Sequence, residues 1–287
     1  MEELKKIGVV ILNYNTPQDT IRCCDSLINQ KNVDLKIVIV DNNSSDNSIK
    51  EIQQYIDKNF YSKKIVLLTN KENLGFAKGN NVGISYLRNI LNIDCVFVLN
   101  SDTLMSTEFV ICSLLKEISD GVGIISPECR GFDKVSFQQP YCLSNGSYLS
   151  EIIKIVSLTI WQSLKAITRI NYSFHKKKKK FFSYDYEYII QGNAYILTPF
   201  FFNNYTSLFP NTFLYLEETA LLWYIKKSNL RTKYVEGIVV FHKEAGSNKM
   251  SSSEKEAFKA REMRKSLWKI LPLCLLSKDS IRKKFDK

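Results

Sequence analysis

The run VFVLNSD, residues 96–102, decides how the rest of the chain is read. Its apolar residues have the unbroken character of a strand buried on both faces of a parallel sheet, and they stop abruptly at Asn100, Ser101 and Asp102. In an open α/β sheet, ligands collect at the carboxyl ends of the strands. Asp102 is hard, anionic and placed at such an end, which makes it a candidate ligand for an oxygen-preferring divalent cation carrying a diphosphate.

Upstream, strand and helix alternate. Residues 7–13 form a β-branched run ending in Asn13-Tyr14-Asn15, after which Thr16 reads as an N-cap and Pro17 as the first position of a helix to about Asn29. Residues 35–40 read as a second strand ending in Asp41, and Asn42-Asn43-Ser44-Ser45 as a turn and cap for a helix to about Ile56. Residues 65–69 read as a third strand; NLGFAKGNN, residues 73–81, then leads into a helix ending near Leu91. This spacing implies a parallel, doubly wound sheet with right-handed crossovers. Singly, Asp41 with Ser44 or Ser45 is turn chemistry, and Gly75 and Gly79 allow tight backbone near a helix start. Together, Asn13, Asp41, the 73–81 loop and Asp102 emerge along one sheet edge, which packing alone does not explain.

Composition fits one enzyme-sized unit: 287 residues at 45% hydrophobic content can bury a large core. The opening MEELKKIGVVIL carries charges and no cleavable-signal pattern, and its apolar run is too short to span a bilayer. The seven cysteines lack paired metal-type spacing, so reduced, buried thiols and a cytoplasmic setting are expected. The net charge of +11 lies in two segments: five lysines at 176–180, and residues 254–287 with eleven basic against five acidic residues. Such a loop and tail suit an anionic membrane surface on the inner face of the cytoplasmic membrane better than a groove tracking nucleic acid; a solvated lysine loop with no partner is the alternative.

The second half is less regular. Residues 105–118 read as helix and 122–126 as strand, while 127–146 have turn residues and little period. Residues 149–170 are the most amphipathic of the chain, with Leu149, Ile152, Ile153, Val156, Ile160, Leu164 and Ile167 on one side; their interior charges argue against a membrane span. This helix either packs on the sheet or, helped by Trp161, lies in a membrane interface. YIIQGNAYILT, residues 188–198, reads as a strand with a turn at Gly192-Asn193, and Pro199 opens a short helix. FLYLEETALL, residues 213–222, sets adjacent Glu217 and Glu218 on an apolar element, so they are expected to face a polar cavity or a helix start. Adjacent helical residues point about 100° apart, so at most one aims at a reacting group. His242 follows the strand 238–241, where a lone histidine is ordinarily a hydrogen-bonded structural residue. Residues 253–270 read as a basic helix docking through Phe258, Leu267 and Trp268, with Arg261, Arg264 and Lys265 wet; Pro272 should break it and residues 278–287 should fray.

VVILNYNTPQDTIRCCDSL, IVIVDNNSSDNS, NLGFAKGNNVGI and VFVLNSDT, in that order, resemble the successive signatures of a family-2 glycosyltransferase of the GT-A type, in particular its bacterial rhamnosyltransferase-like branch. The resemblance covers roughly residues 6–245. It implies an α/β, GT-A-type nucleotide-sugar-binding fold: a mostly parallel central sheet flanked by helices over residues 1–250, split into a nucleotide-sugar-binding half (1–104) and an acceptor-binding and catalytic half (105–250), then a basic C-terminal helical extension (251–287). It places Asn13, Asn15, Asp41, Asn43, Asn73, Gly75, Lys78, Asn81, Asn100, Ser101, Asp102 and Lys243 at the donor, with Asp41 recognising the base and Lys243 helping to hold the diphosphate. Asn100-Ser101-Asp102 stands where the family has its DxD motif; Asn100 replaces an acid, leaving one carboxylate to hold Mg²⁺ or Mn²⁺. Phe241 to Ser247 resembles the family's histidine-glycine-serine segment, which implies His242 as the second metal ligand. Glu217-Glu218 stands where an ED-like pair supplies the catalytic base, with Glu218 as base and Glu217 as its structural or acceptor-side partner.

The resemblance therefore implies a divalent-cation-dependent inverting transferase acting on a nucleotide-sugar donor (dTDP or UDP) and a glycan acceptor, of capsule or O-antigen type and lipid-linked. Two rivals stay open. A sugar nucleotidyltransferase would need a Gly-rich phosphate loop after the first strand, and Asn13 to Pro17 is not one. A non-catalytic sugar-nucleotide-binding subunit would bind donor without hydrolysing it.

Overall fold

The computed structural model describes residues 4–138, 140–143, 188–243 and 252–285. β1 (Lys6–Asn13), α1 (Pro17–Ile28), β2 (Asp34–Asp41), α2 (Ser48–Lys58), β3 (Ile65–Thr69), α3 (Phe76–Asn89) and β4 (Val96–Asn100) follow in the alternation expected from the sequence. β1, β2, β3 and β4 pair in parallel, in the order β3-β2-β1-β4. Asn13 pairs with Asp41, Asp41 with Thr69, and Leu12 with Asn100, so the polar strand ends do converge on one edge.

The strands are continuous apolar runs because both faces are covered. Val10, Val38, Val40, Val96 and Val98 point toward Ile84 and Leu87 of α3; Ile7, Val9, Ile11, Ile37, Ile39, Phe97 and Leu99 meet Cys23, Cys24 and Leu27 of α1 and Ile52 and Ile56 of α2. Cys23, Cys24, Cys95 and Cys129 are buried free thiols, and burial pushes Cys23 and Cys95 up to about 12, so they pack and do not react.

Beyond β4 the sheet becomes mixed. β5 (Thr103–Met105), α4 (Val110–Lys116), β6 (Val122–Arg130), β7 (Phe137–Gln138), β8 (Tyr141–Leu143), β9 (Tyr188–Ile190), β10 (Ala194–Leu197), α5 (Pro199–Phe202), α6 (Glu217–Lys227) and β11 (Arg231–His242) complete the core. The path continues β4-β10-β6-β11-β5, with β10 antiparallel to β4 and β6, β11 parallel to β6, and β5 antiparallel to β11. Two local readings are corrected. Met105 ends a strand rather than opening a helix, because pairing with Val240 captures it, and the helix starts only at Val110. The irregular stretch starts later than expected: β6 runs through Pro127 to Arg130, and residues 132–135 are turn and bend. Pro127 is tolerated because β10 pairs only as far as Ile125 and β11 has a register shift after Val235, Pro127's own partner, so the ladder is already interrupted there.

The C-terminal segment is also corrected. α7 (Ser252–Leu275) continues through Pro272, and α8 (Lys278–Phe285) is docked, with Ile281 buried and Phe285 edge-on to Phe209 at 5.0 Å. The carbonyl that Pro272 leaves without a donor belongs to Trp268, on the solvent side, where water can serve it. α7 docks through Glu262, Ser266, Ile270 and Leu273, while Trp268 is 59% exposed rather than docked. The amphipathic stretch 149–170 and the lysines 176–180 lie outside the described residues.

Candidate active site

At the carboxyl edge of β1 and β2 the expected donor residues form a hydrogen-bonded frame. Asp41 is fully buried: its Oδ2 accepts from Asn13 Nδ2 (2.7 Å) and Ser44 Oγ (2.7 Å), and its Oδ1 from Ser44 N (2.9 Å). Asn13 Oδ1 accepts from Thr20 Oγ1 at 2.7 Å, and Asn15, at φ 56°, accepts from Ser45 N at 2.8 Å. Asp41 is therefore closed inside the frame and offers no surface to a base. Asn43 is exposed at φ 64°, while its neighbour Asn42 is buried and ties β2 to the next loop. Asn42 donates to Asn73 Oδ1 (2.9 Å) and Gly75 O (3.2 Å) and accepts from Leu74 N (3.0 Å). Sequence reading passed over Asn42, since nothing local separates the two asparagines. Gly75 requires glycine: its φ is +79° and a β-carbon would collide with the Phe213 backbone. Asn81 clamps Leu208, donating to its carbonyl at 2.9 Å and accepting from its N–H at 2.8 Å. Lys78 is exposed on the first turns of α3.

The β4 end and the β11 end meet as expected. β11 pairs His242 with Thr103, which brings His242 Nε2 to 3.1 Å from Asp102 Oδ1 and 3.4 Å from Asn100 Nδ2. His242 Nδ1 lies 2.9 Å from Gln138 Oε1, an acceptor that also receives Asn193 Nδ2 at 2.9 Å. Nδ1 must donate, so Nε2 is left to carry either a proton toward Asp102 or a lone pair toward a cation. The Asp102 carboxylate is the hard oxygen type that Mg²⁺ and Mn²⁺ take and the His242 nitrogen is a softer donor; no cluster of three or more His, Cys, Asp or Glu is present among the described residues. Ser101 Oγ is 3.2 Å from Thr16 Oγ1, so the expected N-cap hydroxyl faces β4 and makes no capping bond. Lys243 Nζ is 3.0 Å from Asp19 Oδ1, an ion pair to α1.

The acid pair opens α6. Tyr215 and Leu216 are both left-handed (φ 69° and 68°), which turns the chain sharply so that Glu217 and Glu218 occupy the helix's first turn. Burial and the Glu218 charge raise Glu217 to about 8. Burial raises Glu218 too, but the helix N–H and Lys259 of α7 pull it back. Both carboxyls are therefore held above the ordinary carboxylate range, Glu217 in addition by the charge of Glu218. Glu217 Oε1 is buried without a hydrogen-bond partner. Lys259, which no local pattern marks as a site residue, also sits 5.6 Å over the Tyr215 ring.

The two halves share one cleft of about 1980 Å³. Asn100, Gln138, His242 and Lys243 line one part; Gln191, Gly192, Glu217, Glu218 and Lys259 line another. The 191–193 turn links them: Asn193 O accepts from Asn100 N at 3.0 Å, and Gly192 lies against the Glu218 carboxyl. Asn13, Asn15, Asp41, Asn43, Asn73, Gly75, Lys78, Asn81, Ser101 and Asp102 are not among the lining residues, though Asp102 reaches the cleft through His242.

Residues 8–202 match the family described as glycosyl transferase family 2, a stretch ending before the acid pair and His242. An uncharacterized glycosyltransferase of Haemophilus influenzae is 31% identical over 84 residues, covering 29% of this chain and 25% of its own length. The uncharacterized glycosyltransferase YibD of Escherichia coli K12 is 36% identical over 84 residues, covering 29% and 23%. The chain thus spans about a quarter of the length of these curated relatives. Among solved structures, the mannosyltransferase PcManGT from Pyrobaculum calidifontis, in complex with GDP-Man and Mn²⁺, has a TM-score of 0.54 at 12% identity, covering 96% of this chain and 74% of that one. S. aureus TarS 1–349 in complex with UDP has a TM-score of 0.54 at 13% identity, covering 94% and 65%. At these identities the likeness is one of fold, the GT-A glycosyltransferase architecture.

Proposed function

The chain belongs to glycosyl transferase family 2, and from that premise we propose that it is an inverting, cation-assisted transferase. It moves one sugar from a nucleoside-diphosphate donor of the UDP or dTDP type to a hydroxyl of a surface-glycan intermediate. One observation carries this reading: the Asp102–His242 couple and the Glu217–Glu218 pair serve the same cleft, coupled through the 191–193 turn. A donor phosphate and an acceptor hydroxyl both have a suitable partner there. The bound UDP, GDP-Man and Mn²⁺ of the fold relatives support a nucleotide-sugar donor and a divalent ion.

Glu218, whose charged form the helix N–H and Lys259 favour, takes the proton of the acceptor hydroxyl as its oxygen attacks the anomeric carbon. Glu217 remains protonated to about 8 and so spares the pair a second charge in the same buried space. Gln138 holds His242 through Nδ1, so that Asp102 and His242 would hold Mg²⁺ or Mn²⁺. That ion, when bound, supplies neutralisation of the departing diphosphate. Lys243, at the cleft wall, would bring a further positive charge toward the same leaving group on letting go of Asp19, its ion-pair partner. No covalent intermediate is required.

Binding and slow hydrolysis of UDP-, dTDP- and GDP-sugars, each with Mn²⁺, Mg²⁺ or EDTA, test the reading on wild type, Asp102→Ala and Glu218→Gln. Cation-dependent binding of one donor, lost in Asp102→Ala and kept in Glu218→Gln with turnover abolished, is expected. No nucleotide bound under any condition would remove the transferase reading.

A further inference from the structure

α7 has two opposite faces, and among the described residues only one is used by the fold. Glu262, Ser266, Ile270 and Leu273 are buried against the core. Half a helical turn away, Arg264, Trp268, Leu271 and Leu275 stand at i, i+4, i+7 and i+11 and form one stripe. Trp268 is 59% and Leu275 67% exposed, which is unusual for such large apolar side chains on one side of one helix. The same segment is cationic: Arg261, Arg264, Lys265 and Lys269 on α7 and Arg282, Lys283 and Lys284 on α8 are exposed, against exposed Asp279 alone among the described acids of residues 257–285. Glu262 is the other acid, and it is buried beneath Arg261 and Lys265.

We propose that this stripe docks the protein on an anionic lipid surface, with Trp268 and Leu275 entering the headgroup boundary and the flanking cations meeting lipid phosphates. A tryptophan beside aliphatic and basic residues is the side-chain set that an interface selects, and charge complementarity chooses the lipid over a second copy of this equally basic face. The helix lies on the membrane and does not cross it; among the described residues no helix is long and apolar enough to span one. Lys259, five residues before Arg264 and sixteen before Leu275, lines the cleft, so at 1.5 Å per residue the stripe lies about 8–24 Å along the helix from it. This deepens the proposed transferase reading by naming a membrane as the place where the acceptor is met, but the docking itself does not depend on catalysis.

Cosedimentation of the full chain with vesicles of phosphatidylcholine alone, or with about a third phosphatidylglycerol, decides it. Binding to the anionic vesicles only, reversed by high salt and weakened at least about tenfold in Trp268→Ser/Leu275→Ser and in Arg264→Gln/Lys265→Gln/Lys269→Gln, is expected. A thermal melt of each variant within a degree or two of wild type shows that the fold is kept. Wild type that ignores anionic vesicles overturns the proposal, and so do stripe variants that bind like wild type. A wild-type dimer that becomes monomeric in Trp268→Ser overturns it as well, since the face is then a self-interface. Donor hydrolysis measured on the same samples stands apart from all these outcomes, so a failure of the transferase reading is told from a failure of docking.

Discussion

Gly192 and Glu218 are in contact across the cleft floor, with no room for a β-carbon between them. A β-carbon at 192 would displace the Glu218 carboxyl, since the turn passes it closely while Asn193 reaches Asn100 and Gln138. Gly192→Ala should push the Glu218 carboxyl aside without touching the donor frame. We expect turnover to fall about 10²-fold with donor affinity changed less than threefold, measured by hydrolysis and by titration calorimetry. Unchanged turnover would mean that Glu218's position is not critical.

The acid pair makes a double prediction in pH. Glu217 is held at about 8 in the folded protein against its ordinary 4.5, so the folded state keeps a proton that the unfolded chain loses. Its contribution is fully present below about 4.5 and is lost as pH rises through about 8. Glu217→Gln should therefore be more stable than wild type at pH 9, by on the order of 1–3 kcal/mol, and no more stable at pH 4, as followed by urea unfolding. Turnover should rise with pH on a limb set by Glu218, above the ordinary carboxylate range. Lys259→Met should move that limb to higher pH, since it removes the cation that favours the charged form. A limb that stays in place would take Lys259 out of that role.

Asp41 is a scaffold residue by its surroundings. Asp41→Asn would turn one oxygen into an N–H₂ group facing Asn13 Nδ2, now 2.7 Å away, and break a buried set of charge-assisted bonds. Denaturant unfolding should show a loss of about 1.5–3 kcal/mol. A variant as stable as wild type that no longer binds donor would return Asp41 to the recognition role.

Much of the first half was legible because parallel strands covered on both faces give unbroken apolar runs, and each run ends where its polar residue begins. Asn13, Asp41 and Asn100 could be placed on one edge from that rule alone. The second half obeys weaker signals. Three residues at 103–105 have no period, so Met105 was absorbed into the next helix. Pro127 suggested an end to β6 because the interruption that tolerates it lies in β11, a hundred residues on. Gln138 and Lys259 join the site only through contacts with His242 and Glu218, far away in sequence, and such contacts leave no local mark. Hydrophobicity alone makes Trp268 a docking residue, whereas helical phase sets it opposite Ser266, Ile270 and Leu273.

Gln138 offers the sharpest test of the cation site. Its Oε1 fixes the Nδ1 proton of His242, and its Nε2 donates to the His242 carbonyl at 3.2 Å, so it sets both the tautomer and the ring's position. A leucine keeps part of the side-chain volume and also takes away the acceptor of Asn193 Nδ2. Gln138→Leu should therefore free His242 to place its proton on either nitrogen, which weakens Nε2 as a ligand without altering the charge of the site. We expect the Mn²⁺ concentration for half-maximal donor binding to rise about 10–100-fold, with the fold unchanged by circular dichroism. His242→Asn in the same assay should weaken Mn²⁺ at least as much, and Gln138→Leu added to it should cost little more, since Gln138 acts through the ring. Full additivity of the two would assign Gln138 a separate role at the cleft and leave the tautomer argument without support.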